Sequence, residues 1–555
     1  MKQAVGLEAT RWVAAVPAVA AACLALAACG SGNGSTEADG EDAVARADAG
    51  TDATADVADA ADVPIGEILP DAARGETGET DGTVPGKVLR LHAEGTNLVD
   101  SAGKTVVLRG ANLGGWMFHE TWITHTEYPD HGRMHVAAVA EGIEKEVDEV
   151  LQEVGYEYGT EPASVAICPG NGPEWREKFF AALEAKLGKD AADAFKAKVE
   201  DVPGLCDDSD APFRNLLAQR FGTDVRDTLQ DAFQAGWITE KDVAWLASQG
   251  FNLVRVPIGY RALVTGEDKE KPEALAWNPP AFDRLHELLG WCETHGVYAV
   301  IDIQEAPGGQ NTYAGTPAHL YSDPKMEALT VELWEKLSDE FKTSDAVAAY
   351  SLLAEPYGAP DTAERDRVYD VLVKALRARG DDHLAVIHDG FFGVQTLPVP
   401  SEYGWEGVVY STHLFEWKVT DIGGYDLMLQ IYEDNFSKSQ AKQGVPYFIG
   451  SFSPLKDEDW AYEAAAKMVG WYEGHGWSWS LWTLKRFDDP ITVELYGTSS
   501  AWGLLSLLQA PFDRPDLYLD DQETLAAKLS GYASLELLPN EKLLKALKTG
   551  WSQAR

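Results

Sequence analysis

The sequence predicts an α/β fold, a (β/α)8 barrel, from three observations. Eight short apolar segments fit buried strands, helical patterns separate most of them, and no glycine-rich nucleotide-binding turn follows any of them. Eight βα units close into a parallel barrel with its active site at the carboxyl ends of the strands. The missing turn argues against the alternative, a doubly wound open sheet. The predicted strands are Val106–Asn112, Phe251–Pro257, Val297–Ile303, Ala348–Leu353, Leu384–Ile387, Gly407–Ser411, Pro446–Gly450 and Trp477–Thr483.

Residues 1–29 have the pattern of an export signal. Two basic residues, Lys2 and Arg11, precede an apolar stretch over 12–28 that is short for a transmembrane helix. The stretch ends in Leu-Ala-Ala-Cys-Gly, which resembles a bacterial lipobox and implies that Cys29 is acylated. We therefore expect an exported, membrane-anchored lipoprotein on the bacterial cell surface or in the periplasm. A plain secretion signal is the alternative.

Residues 30–86 are dominated by Ala, Asp, Gly, Thr, Glu and Ser and contain no aromatic residue. Such a segment cannot bury enough apolar surface to offset its chain entropy, so we expect a disordered acidic linker. The net charge of the whole chain is −43. A surface this acidic repels phosphate backbones and argues against a nucleic-acid partner.

The folded part, 87–555, is predicted to open with a β-hairpin that turns at 100–103 and leads into the first barrel strand. Further along, Thr239 and Asp242 have the spacing of a helix capping box, and Gly250 follows the helix they begin. A second helix, Phe282–His295, is closed by Gly296. These local signals alternate helix with strand, as a barrel requires.

Residues 121–234 are too numerous for an ordinary βα loop and are predicted to form a helical insertion after the first strand. Two helical runs are expected, near Ala137–Val154 and Glu174–Val199. The insertion is predicted either to border the cleft as a lid or to be purely structural. Cys168 and Cys206 flank the second run and are candidates for a disulfide in an oxidising compartment. No metal-ligand spacing occurs, so we expect neither a metal nor a cofactor.

Seven segments at the predicted strand ends resemble glycoside hydrolase family 5, closest to its exo-β-1,3-glucanase branch. The resemblance covers most of residues 88–510 in the family's order, and it implies a β-glucan as substrate or ligand. The segments are LRGANLGGW (108–116), WITEKDVAWLASQGFNLVRVPIGY (237–260), IDIQEAPGGQN (301–311), LLAEPYG (352–358), VVYSTHLFEW (408–417), PYFIGSFSPL (446–455) and WSWSLWTLK (477–485).

In that family two glutamates carry out retaining hydrolysis, one as general acid/base and one as nucleophile. By this resemblance Glu355, in Ala-Glu-Pro, has the acid/base position, and Ser451, in Gly-Ser-Phe, has the nucleophile position. A neutral hydroxyl is shorter than a carboxylate and cannot stabilise an oxocarbenium-like transition state by charge. The sequence therefore predicts impaired hydrolysis.

Other family positions are divided between matches and departures. Arg255, His413 and Trp482 match, and Trp482 would be the platform on which a sugar ring stacks. Ala354 stands where the family has the Asn that binds the sugar 2-hydroxyl, Gln304 where it has His, and Phe415 where it has Tyr. Several coordinated departures favour lost hydrolysis over a single chance change.

Three other functions remain open from the sequence. The chain could be an active O-glycosyl hydrolase that uses a displaced carboxylate, or an inverting variant with a more distant base. It could be a transglycosylase in which Glu355 activates the acceptor for an α-configured donor, or a non-catalytic surface scaffold without a glycan role. The candidate replacement acids follow the third, fifth and sixth strands, and the same acids are candidate new partners for Arg255; they are Asp302, Glu305, Asp389 and Glu416. Nothing in the sequence identifies the oligomeric state.

Overall fold

The computed structural model describes residues 87–124, 126, 138, 141–153, 173–201, 210–266, 273–311, 318–416, 419–454, 456–487, 502–507, 514–517 and 519–553. The predicted export signal, the predicted linker, and Cys168 and Cys206 lie outside these residues. Among the described residues no helix combines the length and the apolar character needed to cross a bilayer.

Eight parallel strands close into a barrel, which confirms the predicted fold class. In the described residues each barrel strand hydrogen-bonds to its sequence neighbours, and β11 closes the ring onto β4 through the pairs Trp479–Arg109 and Leu481–Ala111. The strands are buried along nearly their whole length because helices cover the outside and side chains fill the inside. They are β4 (Arg109–Asn112), β5 (Leu253–Gly259), β6 (Tyr298–Glu305), β7 (Val347–Ser351), β8 (Leu384–His388), β9 (Val408–Leu414), β10 (Tyr447–Phe452) and β11 (Ser478–Leu481).

Five short strands complete the sheets of the described residues. β1 (Leu91–Glu94), β2 (Asn97–Asp100) and β3 (Thr105–Val106) form an antiparallel meander before the barrel, and β12 (Leu505–Ser506) pairs with β13 (Leu538–Pro539). The predicted hairpin turn lies between β2 and β3, where Asp100 Oδ1 accepts hydrogen bonds from the backbone of Ala102 and Lys104. The meander contains one strand more than we predicted.

Fourteen α-helices are assigned in the described part of the chain, and their ends agree with local sequence signals. Helix α8 ends at Gly296, whose φ of 69° is left-handed and favours glycine. Asp361 and Asp421 begin α10 and α11, and each accepts a backbone hydrogen bond from the first helical turn. The helices are α1 (Thr121–Thr124), α2 (Glu144–Glu153), α3 (Pro173–Leu187), α4 (Lys189–Asp201), α5 (Asp210–Phe221), α6 (Thr223–Trp237), α7 (Glu240–Ser248), α8 (Pro279–His295), α9 (Pro324–Phe341), α10 (Thr362–Ala378), α11 (Ile422–Gln443), α12 (Asp459–Gly474), α13 (Gln522–Gly531) and α14 (Glu541–Gln553).

The helical insertion contains more helix than the two predicted runs. The second run is two helices, α3 and α4, broken at Gly188, and α5 and α6 follow it. Helices α2 to α4 share a small core of their own, which includes Val150, Leu183 and Phe195. Helix α6 instead packs on the barrel, where the Trp237 indole donates a hydrogen bond to the Gly114 carbonyl oxygen at 2.9 Å.

Candidate active site

The first feature of the site is a strained backbone at Glu355, just beyond the carboxyl end of β7. Glu355 has a φ of 47°, a left-handed conformation that costs a non-glycine residue roughly 1–3 kcal/mol. Gln310, fully buried, holds the neighbouring loops by donating from Nε2 to the carbonyl oxygens of Gln304 (2.7 Å) and Ala354 (2.8 Å). Strain that the surroundings maintain at a polar residue of a barrel rim is typical of a functional site.

Glu355 is joined to His413, on β9, by a hydrogen bond of 2.6 Å between Oε1 and Nδ1. Both side chains are buried. Burial, and then the charge of Arg255, lower the pKa of His413 well below its usual value, so the ring is neutral. A neutral imidazole can donate Nδ1–H to an ionised carboxylate or accept the O–H of a protonated one. The pair therefore suits a carboxyl group that releases and regains a proton.

His388, at the end of β8, is a site residue that the sequence analysis missed. Its ring lies edge-on to His413, with 4.4 Å between centroids and 81° between planes. The Gly390 backbone N–H donates to His388 Nδ1 at 2.9 Å. Burial lowers the pKa of His388 well below its usual value. The only sequence signal was its position at the last residue of a buried strand.

Ser451 lies on β10 and faces the same side of the sheet as His413. The two residues are register partners on neighbouring parallel strands, and such partners project on one face. The register shifts between Ile449 and Ser451, so Gly450 is an extra residue in the strand. A Cβ atom at Gly450 would lie 2.8 Å from His413 Nε2, so only glycine fits without displacing the ring. This bulge points Ser451 into the barrel, beside the His413 ring that is hydrogen-bonded to Glu355.

The Ser451 side chain is neutral, short and buried. The residue is 1% exposed, and its Oγ has no hydrogen-bond partner among the described residues. A buried hydroxyl without a partner costs roughly 1–3 kcal/mol, so the position is unfavourable for serine on stability alone.

Arg255, on β5, forms an ion pair with Asp302, one of the acids that we expected as its new partner. Arg255 Nη2 lies 2.8 Å from Asp302 Oδ2, and both side chains are almost completely buried. Nη1 donates to Asn112 Oδ1 at 2.6 Å, and Nη2 to Gln304 Oε1 at 3.4 Å. Burial raises the pKa of Asp302, and the charge of Arg255 offsets this only in part.

Asn112, also missed from the sequence, extends this network to the strand of Ser451. Its Nδ2 donates to the carbonyl oxygens of Gly450 (3.2 Å) and Leu481 (3.0 Å) and to Ser480 Oγ (3.1 Å). A continuous chain of buried contacts therefore runs from Asp302 through Arg255 and Asn112 to the residue before Ser451. We infer that this network sets the position of the β10 end.

Each of the four candidate replacement acids is held by another side chain. Asp302 is fully buried against Arg255, and Glu305 pairs with Arg261. Glu416 accepts the hydroxyl of Tyr432, on the outer helix α11, at 2.6 Å, and its pKa is raised by burial. Asp389 accepts from Thr412 Oγ1 at 3.2 Å, and Thr412 precedes His413 and so projects to the opposite face of the sheet.

Aromatic side chains surround the end of β11. Trp482 is 6% exposed, and its backbone N–H donates to the Phe452 carbonyl oxygen at 2.8 Å. The peptide bond from Trp482 to Thr483 is cis. Phe415 stacks on Trp502 with 5.9 Å between centroids and 15° between planes; Trp502 was not singled out from the sequence. Phe415 and Trp482 thus lie just beyond the carboxyl ends of β9 and β11, on either side of β10, where the family resemblance expects substrate contacts.

Asp389 gives a prediction for the pH dependence of stability. Burial raises its pKa to about 6. An acid whose pKa is higher in the folded state contributes most stability below its unfolded pKa, near 4, and loses that contribution as the pH rises through 6. We expect this group to lower the free energy of unfolding by roughly 3 kcal/mol between about pH 4 and about pH 7. Urea unfolding should show a flatter profile for Asp389→Asn; parallel profiles would contradict the assignment.

Fold and site define a (β/α)8 barrel with a carboxylate–histidine pair at the carboxyl ends of its strands. Residues 210–488, half of the chain, match the family model described as cellulase (glycosyl hydrolase family 5). The chain belongs to glycoside hydrolase family 5. The match includes Arg255, Glu355, Ser451 and Trp482.

The chain is also similar to individual proteins. The chain is 28% identical over 333 residues to a beta-xylosidase from Phanerodontia chrysosporium, covering 58% of this chain and 51% of that protein. It is 25% identical over 362 residues to a probable glucan 1,3-beta-glucosidase A from Neosartorya fischeri, covering 62% and 65%. The chain thus spans about half the length of the first of these relatives. A crystal structure of endogalactoceramidase is 16% identical, with a TM-score of 0.45, and the match covers 80% of this chain and 84% of that one.

Proposed function

We propose that this chain binds a β-glucan at the carboxyl end of its barrel, with retaining hydrolysis impaired by Ser451. The observation that carries the proposal is the position of Ser451. It is the register partner of His413, which is bonded to Glu355, yet it is buried and neutral. The contacts that position Glu355 are present, whereas residue 451, on the neighbouring strand, carries no charge.

The proposed impairment follows from the chemistry of retaining hydrolysis. That reaction requires two carboxyl groups about 5–5.5 Å apart, one to attack the anomeric carbon and one to move the proton. Glu355 has the surroundings of the proton donor, whereas Asp302, Glu305, Asp389 and Glu416 are each held by another group. Loss of the attacking charge from a buried site costs several kcal/mol, or roughly a thousandfold or more in rate.

Sugar binding is supported by what the site retains. The buried Glu355–His413 pair and the Arg255 network offer polar contacts, and Trp482 offers an aromatic surface. Two relatives are named for a β-xyloside and for a 1,3-β-glucan, which favours a β-linked glycan. The test is incubation of the purified chain with laminari-oligosaccharides and aryl β-glucosides. We expect binding with hydrolysis near background; fast hydrolysis that collapses in Glu355→Gln would overturn the proposed impairment.

Replacement of Trp482 by alanine is expected to weaken glucan binding by about fivefold to thirtyfold, since loss of ring stacking removes roughly 1–2 kcal/mol. Isothermal titration calorimetry with a laminari-oligosaccharide measures the change. The matched control is Trp405→Ala, because Trp405 is equally buried but precedes β9 at the opposite end of the barrel. Equal loss of binding in both variants would indicate general destabilisation and would contradict a binding role for Trp482.

A further inference from the structure

A groove on the outer wall of the barrel has no part in the sugar site at the carboxyl ends of the strands. It runs between α7 and α14, is open to solvent and has a volume of about 770 Å³, within the usual size of a ligand site. Gln249 and Gly250 follow α7 and lead into the amino end of β5, so the groove reaches the end of the barrel opposite to Glu355. We call it the α7–α14 groove; its lining includes Trp245, Gln249, Pro539, Leu544, Lys545 and Lys548.

Close packing between the two helices fixes the walls of this groove. Gly250 has a φ of 89°, and a Cβ atom there would lie 3.1 Å from the Trp551 ring, so glycine allows α14 to approach the end of α7. The guanidinium of Arg109 lies 4.9 Å from the centroid of the same ring. Lys548 Nζ donates to Gln249 Oε1 at 2.9 Å and so joins the two walls. The α7–α14 groove is therefore preformed.

The groove carries positive charge although the chain as a whole has a net charge of −43. Helix α14 contains three lysines and one acidic residue, Glu541. Lys542 pairs with Asp459, on α12, at 3.4 Å. Lys545 and Lys548 line the groove instead, and neither forms an ion pair with any residue that the structure describes. Lysines three residues apart on a helix have Cβ atoms roughly 5–6 Å apart, so this pair favours an occupant with more than one negative group.

The remaining lining favours a sugar chain over a peptide as that occupant. Both long walls are helices, whose backbone N–H and C=O groups are paired within the helix, so an extended peptide finds no strand edge to join. The groove offers side chains instead. The partly buried ring of Trp245 lies beside the amide of Gln249 and the hydroxyls of Thr549 and Ser552. An aromatic face next to polar side chains suits a sugar ring.

We propose that the α7–α14 groove binds an acidic polysaccharide, with uronate carboxylates paired to Lys545 and Lys548 and a sugar ring stacked on Trp245. The site is independent of the proposed function, because it shares no residue with the site around Glu355 and Ser451. Its occupant holds the barrel by its outer wall and leaves the carboxyl ends of the strands open to a second glycan.

The experiment measures binding of polygalacturonate to the full chain by isothermal titration calorimetry, with neutral dextran as the uncharged comparison. We expect polygalacturonate binding at low salt that weakens at high salt, and no dextran binding. Lys545→Glu combined with Lys548→Glu should weaken binding by at least about tenfold, because two attractions become two repulsions. The matched control is Lys438→Glu combined with Lys442→Glu, on α11, which changes the net charge equally but lies outside the groove and should leave binding unchanged.

A change at Trp245 separates a sugar site from a simple cluster of cations. Trp245→Ala should weaken polygalacturonate binding by about fivefold, through loss of ring stacking. Trp291→Ala is the control, since Trp291, on α8, is also partly buried but does not line the groove. Poly-L-glutamate tests the peptide alternative. No polygalacturonate binding at low salt, equal binding of dextran, equally tight binding of poly-L-glutamate, or equal losses in the two lysine double variants would each overturn the proposal.

Discussion

Ser451→Glu is expected to raise the rate of aryl β-glucoside hydrolysis by about a thousandfold or more. The bulge at Gly450 already points residue 451 into the barrel, beside the His413 ring that is bonded to Glu355. A glutamate there would add the second carboxylate of a retaining pair. Steady-state kinetics with 4-nitrophenyl β-glucoside, with NMR detection of the first-formed anomer, measures both the gain and the retention of configuration.

Ser451→Gln is the matched control for this gain. Glutamine has nearly the shape of glutamate but no charge and no nucleophilic oxygen of comparable strength, so it should give no increase. Adding Glu355→Gln to Ser451→Glu should remove most of the gain on substrates with poor leaving groups, because proton donation is then lost. A folded Ser451→Glu protein that remains as slow as Ser451→Gln would show that residue 451 does not face the reacting carbon.

The second large effect concerns stability. Arg255→Met should lower the free energy of unfolding by about 3–5 kcal/mol near pH 7, because it leaves the fully buried carboxyl of Asp302 without a counter-charge. It also removes the 2.6 Å hydrogen bond to Asn112. Urea or thermal unfolding followed by tryptophan fluorescence measures the loss.

The pH dependence of that loss distinguishes the buried charge from lost packing. Burial already raises the pKa of Asp302, and removal of Arg255 raises it further. Because the folded state then binds the proton more tightly than the unfolded chain, the variant regains stability as the pH falls and loses it as the pH rises. The double variant Arg255→Met, Asp302→Leu is the control and should be more stable than the single variant at pH 7. A single variant as stable as the unmodified chain would contradict the ion pair.

Comparison of individual elements shows which local sequence signals were sufficient to predict the bounds of a strand or helix. The third barrel strand, predicted at 297–303, is β6 at 298–305, and the helix closed by Gly296 is α8 as expected. That helix begins three residues earlier than predicted, at Pro279, because proline is tolerated in a first helical turn. Helix α6 was missed because polar residues, including Gln230 and Gln234, are buried on its inner face and interrupt the apolar period.

The site residues likewise divide into those that were predicted from the sequence and those that were missed. Glu355 follows a strand with a clear pattern, and Arg255, His413 and Ser451 lie on such strands; the family resemblance assigned their roles. Asn112, His388 and Gln310 were missed because their contacts join residues that no sequence period connects. Asn112 reaches Gly450 and Leu481, on strands more than three hundred residues away along the chain. His388 meets His413 only because β8 and β9 are neighbours in the closed sheet.

By itself, the sequence determined the alternation of helix and strand, the order of the strands, and the presence of a serine at a position where the family has a carboxylate. These are properties of local periodicity and of residue identity, which need no folded chain. Only the tertiary structure decided that Asp302 partners Arg255, that Asp389 accepts a hydrogen bond from Thr412 and Glu416 one from Tyr432, and that a bulge at Gly450 orients Ser451. The physical reason is that the direction of a side chain depends on strand register and barrel closure, where a shift of one residue reverses the face to which it points.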